Sequence, residues 1–118
     1  LEALRPMADL MQRYPSGFGR YLSALDFHLG PVAEVALVWR SGEERALGRL
    51  LDTVFGRYQP NRVVVGAAEG DAAAAGLPLL ADRATVGGRP TAYVCRHYVC
   101  QLPVTEPEAL ARQLDAGV

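Results

Sequence analysis

The chain has 118 residues, of which 50% are hydrophobic and 21% are charged, and this composition is that of one ordinary globular domain. Its net charge of −1 provides no basic excess to hold a phosphate backbone, so we expect no nucleic-acid partner. No apolar run approaches the roughly 20 residues of a membrane-spanning helix, and two cysteines are too few for the disulfide framework of a small secreted protein. We therefore expect a cytoplasmic protein with no membrane partner.

The first thirty residues predict two helices. Apolar side chains recur at helical spacing along residues 1–14 and again along 16–30, where the pair Gly30-Pro31 ends the pattern. The sequence changes character at that pair, from helical spacing to short runs rich in Val. We therefore divide the chain into a helical segment, residues 1–30, and an α/β domain, residues 31–118.

The α/β domain begins with a strand, a helix and a second strand. The Val-rich runs 33–39 and 62–68 are typical of buried strands, and residues 43–57 between them carry an amphipathic helical pattern. Ser41 and Glu44 form a capping-box sequence at the start of that helix. Strand, helix and strand joined by short links predict a parallel, right-handed βαβ unit.

The remaining residues predict a weak helix, a third strand and a last helix. Residues 69–83 are Ala-rich and predict a weak helix, interrupted by Gly and Pro. A third strand is predicted at 91–95 with a short antiparallel return at Val99, and Thr105 opens a second capping box before a last helix. The predicted fold is a small three-layer α/β domain with a parallel βαβ core, a mixed short sheet and helices on both sides, preceded by two helices.

Cys95 and Cys100 are the main candidates for a functional site, and His97 lies between them. Across a hairpin they would face each other closely enough for a disulfide, whereas along one straight strand their odd offset would put them on opposite faces. His97 and Tyr98 suit a two-residue turn poorly, because neither favours a positive φ, so we expect a four-residue turn. We favour buried, unreactive thiols, with a disulfide or redox-labile pair as the alternative.

Other chemistry has weaker support in the sequence. The Cys-His-Cys cluster lacks the second ligand pair of a structural zinc site, so no metal is expected. The sequence has no phosphate-binding glycine motif and no catalytic triad, and we expect no cofactor. A small-ligand or anion site at the carboxyl ends of the strands, where open α/β sheets usually bind ligands, is the remaining alternative. Its candidate residues are Arg40, Gly66, Gly88 and Arg89.

Residues 87–114, GGRPTAYVCRHYVCQLPVTEPEALARQL, resemble the C-terminal end of the spermatogenesis-associated, thioredoxin-domain-containing protein family. The resembling motif is A-Y-V-C, four residues and a second Cys, followed by P-V-T and a capped helix. Two further segments, SALDFHLGPVAEVALV and RYQPNRVVVG, agree and occur in the same order. Together these segments cover most of the chain from about Ser16.

The resemblance implies a multidomain parent protein. That parent would have an N-terminal thioredoxin-like domain and a helical α/α barrel of the six-hairpin-glycosidase type, and this chain would be its C-terminal piece. Residues 1–30 would then be the tail of the barrel or its connection to the α/β domain. The family has no established substrate and assigns no catalytic residue to a position here. Trp39-Arg40 departs from the Gly that tends to follow the first strand in relatives, which weakens an anion-binding role for that turn.

The functional expectation is a non-catalytic accessory domain that packs against the other domains of its own parent protein. We do not expect this fragment alone to be an enzyme. Thiol redox chemistry at Cys95 and Cys100, and ligand binding at the strand ends, are the alternatives. A helix separated from a barrel would expose its apolar stripe, so residues 1–14 are expected to self-associate or to dock on the α/β body. That stripe consists of Leu4, Met7, Met11 and Tyr14.

Overall fold

A computed structural model describes residues 4–30, 32–72 and 76–116. The helices in these ranges are α1 (Ala8–Arg13), α2 (Gly19–Leu29), α3 (Glu44–Phe55) and α4 (Pro107–Asp115). The strands are β1 (Ala33–Trp39), β2 (Arg62–Ala68), β3 (Thr91–Arg96) and β4 (Val99–Cys100). None of the helices within the described ranges combines the length and the apolar character needed to cross a bilayer.

The four strands form one mixed sheet in the order β2-β1-β3-β4. β1 and β2 are parallel and are joined through α3, with Val35 opposite Val64. β3 runs antiparallel to β1, and β4 returns antiparallel to β3. The α/β class, the parallel βαβ core, the third strand and its short return are therefore confirmed.

One face of the sheet packs against both α3 and α4. The amphipathic pattern of α3 places its buried Leu and Val side chains toward β1, and α4 adds two leucines. Fully burying such a side chain contributes roughly 1.5–3 kcal/mol, so this layer is the main source of stability. Its buried residues are Val35, Leu37, Leu47, Leu50, Val54, Ala92, Val94, Leu110 and Leu114.

Within the described residues, the second face of the sheet is covered by a turn-rich segment, and the helix predicted on this side is not found there. Ala36 and Val38 pack against Leu80 on this face, with Tyr93 beside them. The described residues 76–83 form turns, which agrees with the interruption that Gly and Pro impose there. Residues 73–75, in the middle of the predicted Ala-rich helix, lie outside the described ranges. The thin cover leaves part of this face open to solvent.

Both predicted capping boxes are wrong. α3 has Glu43 at its N-cap position, and the Glu44 carboxylate accepts a hydrogen bond from the Gly42 N–H at 3.2 Å. Ser41 is displaced from the cap because Gly42, at φ 94°, turns the chain before the helix begins. α4 has no side-chain cap, and it begins with Pro107, whose missing N–H would have had no partner within the helix.

The molecule is elongated, and the helices α1 and α2 contribute no residue to the two hydrophobic clusters of the sheet. The Cα radius of gyration is 17.0 Å, whereas a compact chain of this length has about 13.5 Å. Asn61, just before β2, donates to the Asp26 carboxylate of α2 at 2.8 Å and links the helix to the sheet. In the predicted apolar stripe Tyr14 is 63% exposed and Met11 is buried. The expected self-association or docking of residues 1–14 stays a prediction.

Candidate redox site at the β3–β4 hairpin

Cys95 and Cys100 are opposite residues of the β3–β4 ladder, and their sulfur atoms are bonded at 1.99 Å. The favoured expectation of free thiols is therefore wrong, and the structure has the disulfide alternative. The Gln101 N–H donates to the Val94 carbonyl at 2.9 Å, so the cysteines occupy the neighbouring, non-hydrogen-bonded pair. Side chains approach most closely across such a pair, which explains why these two sulfurs meet.

The turn that joins the two strands contains only His97 and Tyr98, so the predicted four-residue turn is wrong. Both residues have positive φ, 50° for His97 and 64° for Tyr98, as a type I′ turn requires. The left-handed conformation costs a residue with a side chain roughly 1–2 kcal/mol. The twist of this turn matches the twist of the strands, and the disulfide at the next residue pair holds the strands together.

The two sulfur-bearing residues differ in exposure. Cys95 is 2% exposed and Cys100 is exposed on the outermost strand. Side chains alternate along β3, so Cys95 lies on the same face as Tyr93, opposite α3 and α4. The disulfide therefore joins a buried position of the thinly covered face to the surface.

Arg83 contacts both sulfur atoms. Its Nη2 lies 3.5 Å from the Cys95 Sγ and 3.4 Å from the Cys100 Sγ. The Nε of the same side chain donates to the Leu79 carbonyl at 2.7 Å, and the guanidinium lies over the Tyr93 ring, 4.7 Å from its centroid. Three kinds of contact thus hold a permanent positive charge beside the disulfide.

A groove of about 470 Å³ opens beside the disulfide. Its walls are mainly apolar and include Val63, Val65 and Leu77, with the fully exposed Tyr98 at the hairpin end. Glu34 also lines the groove and is the β1 residue opposite Cys95. The groove exists because the turn-rich segment covers only part of the second face, and it gives an approaching thiol access to the sulfurs.

Sequence reasoning found the cysteine pair and missed Arg83. Residues 76–83 have no regular hydrophobic period, so no pattern predicts which side chain of this segment reaches the hairpin. Tyr93 could have been placed beside Cys95 from the two-residue period of β3 alone. Within the described residues, no group of three or more His, Cys, Asp or Glu side chains could hold a metal ion.

The arginines of the candidate strand-end site are already paired with carboxylates. Arg40 lies 3.6 Å from Glu69, and Arg89 lies 3.0 Å from Glu106. Hydrogen bonds from the Thr85 hydroxyl and N–H, helped by the charge of Arg40, hold the pKa of Glu69 below its ordinary value. An anion at this site would have to compete with these carboxylates.

The two candidate glycines have packing roles. Gly88 has a φ of 74°, and a Cβ on it would lie 2.9 Å from the Arg40 Nη1. Gly66 lies inside β2, and a Cβ there would be 3.0 Å from the Trp39 ring. The structure thus brings Arg40 and Gly88 together, while Gly66 makes room for the indole.

Comparisons with protein-family models, with curated proteins and with solved structures found no match. The family resemblance of residues 87–114 therefore stays a prediction.

Proposed function

We propose that the Cys95–Cys100 disulfide is a reversible thiol–disulfide redox centre. The contact of Arg83 Nη2 with both sulfurs, at 3.5 and 3.4 Å, carries this proposal. When a disulfide is cleaved by a thiol, one of its sulfurs leaves as a thiolate, and a neighbouring guanidinium stabilises that negative charge. Arg83 lies close enough to stabilise the negative charge on either sulfur.

The size of the loop also favours a redox role over a purely structural one. The bonded cysteines are only 5 positions apart in the sequence. Closing so short a loop contributes about 2 kcal/mol in the chain-entropy model, against almost 5 kcal/mol for a loop of about 100 residues. We propose the cytoplasm as the compartment, where cellular thiols keep most proteins reduced and disulfides are usually transient. A disulfide exposed to that environment would cycle between its two states.

The proposal is tested by reducing the folded chain. The protein is equilibrated in dithiothreitol buffers of graded potential, quenched with iodoacetamide and weighed by mass spectrometry, while circular dichroism monitors the fold. We expect both thiols to appear with the fold retained, at a midpoint above about −300 mV, the upper limit typical of structural disulfides. A bond that resists reduction until the fold melts would refute the redox proposal.

A second candidate function is that of an accessory domain in a larger protein of the thioredoxin-domain-containing family. Large apolar side chains are exposed on α1, on α2 and just after α1, outside the α/β body, and monomeric proteins usually avoid such patches. They are Leu10, Tyr14, Tyr21, Phe27 and Leu29. The resemblance supplies the proposed partner, which is the α/α barrel of the parent protein. A thioredoxin-like domain in the same parent would be a suitable exchange partner for the disulfide.

Sedimentation of the isolated chain tests the accessory-domain proposal. Without the barrel, the exposed apolar side chains are expected to drive self-association, which the double substitution Tyr14→Glu and Tyr21→Glu should abolish. Arg13→Glu, on an already polar position of the same segment, is the matched control. A strict monomer at high concentration would count against this role.

A further inference from the structure

We propose that an incoming thiolate attacks Cys100, that Cys95 is the leaving thiolate, and that the physiological reductant is a dithiol. This inference rests on the proposed redox function and assigns a direction to it. A thiolate must approach a disulfide sulfur from the side opposite the sulfur that leaves. The two ends of this disulfide differ in whether that approach is open.

The approach to Cys100 is open. Cys100 belongs to β4, the last strand of the sheet, and its side chain is exposed. Cys100 therefore lies at the edge of the sheet, and no described strand lies beyond β4 to block an attacking group. The apolar groove beside the disulfide gives the attacking molecule a surface to pack against.

The approach to Cys95 is hindered. Glu34 of β1 is the residue opposite Cys95 and lines the groove beside it. Cys95 itself is only 2% exposed. A thiolate entering from this side would have to approach the carboxylate of Glu34, which repels it.

The exchange then proceeds in two balanced steps. The attacking sulfur forms a bond to the Cys100 Sγ, the Cys95–Cys100 bond breaks, and its electron pair leaves on the Cys95 Sγ beside Arg83. A second thiolate of the reductant attacks the first sulfur of the reductant and releases Cys100 as a thiolate. Two electrons have moved from the reductant, now an intramolecular disulfide, to the hairpin, and both cysteines take up protons from solvent.

The need for a second thiol follows from the hairpin. The ladder keeps the Cys95 thiolate opposite Cys100, so it can attack the mixed disulfide and expel the reductant again. A reductant with one thiol loses this competition, whereas a dithiol carries its own second nucleophile. The substrate class is therefore a dithiol, such as a redox protein with two neighbouring cysteines.

Single-cysteine variants test the direction of attack. In the folded state, the lone thiol of Cys95→Ser is expected to react with 5,5′-dithiobis(2-nitrobenzoate) at least about tenfold faster than the lone thiol of Cys100→Ser. In denaturant the two rates should become equal, which shows that the fold causes the difference. The Cys→Ala pair repeats the test if either Ser variant fails to fold, as judged by circular dichroism. Equal rates in the folded state, or a faster Cys95, would overturn the assignment.

The wild-type protein separates this inference from the proposed function. At equal thiol concentration, dithiothreitol is expected to reduce the disulfide fully, whereas 2-mercaptoethanol should leave it mostly oxidised. Equal reduction by both reagents would overturn the dithiol requirement and leave the redox function standing. Resistance to both reagents in the folded state would refute the redox function itself.

Discussion

Replacing Arg83 by Met is expected to slow reduction of the disulfide about tenfold. The Nη2 atom lies 3.5 and 3.4 Å from the two sulfurs, within hydrogen-bonding range for sulfur. A hydrogen bond to a charged group contributes about 1.5–3 kcal/mol, and solvent around this half-buried side chain lowers the value to about 1.4 kcal/mol. That energy corresponds to a factor of about ten in rate. Met keeps an apolar stem against Tyr93, so packing changes little.

The assay measures the rate of reduction by dithiothreitol in the folded state, with samples quenched by iodoacetamide and counted by mass. Arg89→Met is the matched control, because it removes the same charge from a side chain that is 66% exposed and pairs with Glu106 before β3 begins. Arg83→Lys retains the charge but loses the planar geometry, and should fall between wild type and Arg83→Met. A rate for Arg83→Met within twofold of both wild type and Arg89→Met would refute the role given to Arg83.

Three further predictions concern stability, each measured by urea unfolding. Tyr98→Gly should raise the free energy of unfolding by about 0.5–1 kcal/mol, because glycine adopts the φ of 64° without steric cost; no gain would mean that the turn is unstrained. Gly66→Ala should lower the free energy of unfolding by about 1 kcal/mol, because the added methyl group contacts the Trp39 indole. The control Gly48→Ala lies in α3 with open space around it and should raise the free energy of unfolding by about 0.5–1 kcal/mol. Equal effects of the two substitutions would contradict the packing role of Gly66. Thr85→Val removes the main cause of the lowered pKa of Glu69. A lowered pKa in the folded state stabilises the protein above the ordinary value of 4.5, and this stabilisation is lost as the pH falls through the folded pKa. The difference between wild type and Thr85→Val should therefore be largest at neutral pH and shrink in acid, and a difference independent of pH would exclude this origin.

The regular part of the fold could be predicted because its signals are local. The Val-rich runs of β1 and β2 and the helical period of α3 occur within short windows, and short links leave few arrangements for them. The cover on the second face could not be predicted in the same way. Its residues have no regular period, so their positions depend on contacts with the sheet that the sequence does not encode locally.

The candidate site was predictable in part. The spacing of Cys95 and Cys100 limited them to two geometries, and pairing across the β3–β4 ladder decided between these. The turn was predicted wrongly because the local preferences of His97 and Tyr98 disfavour a positive φ. Strand pairing and the cross-link outweigh that preference here. The position of Arg83 could not be predicted, because it belongs to a distant segment, residues 76–83, that has no regular hydrophobic period.

The two edges of the sheet differ in their protection against unwanted strand pairing. β4 is only 2 residues long and is cross-linked to β3, so it offers almost no template to a strand from another molecule. β2, at the other edge, is 7 residues long and carries the exposed Val63, with no described strand on its outer side. Aggregation of the folded chain is therefore expected to begin at β2.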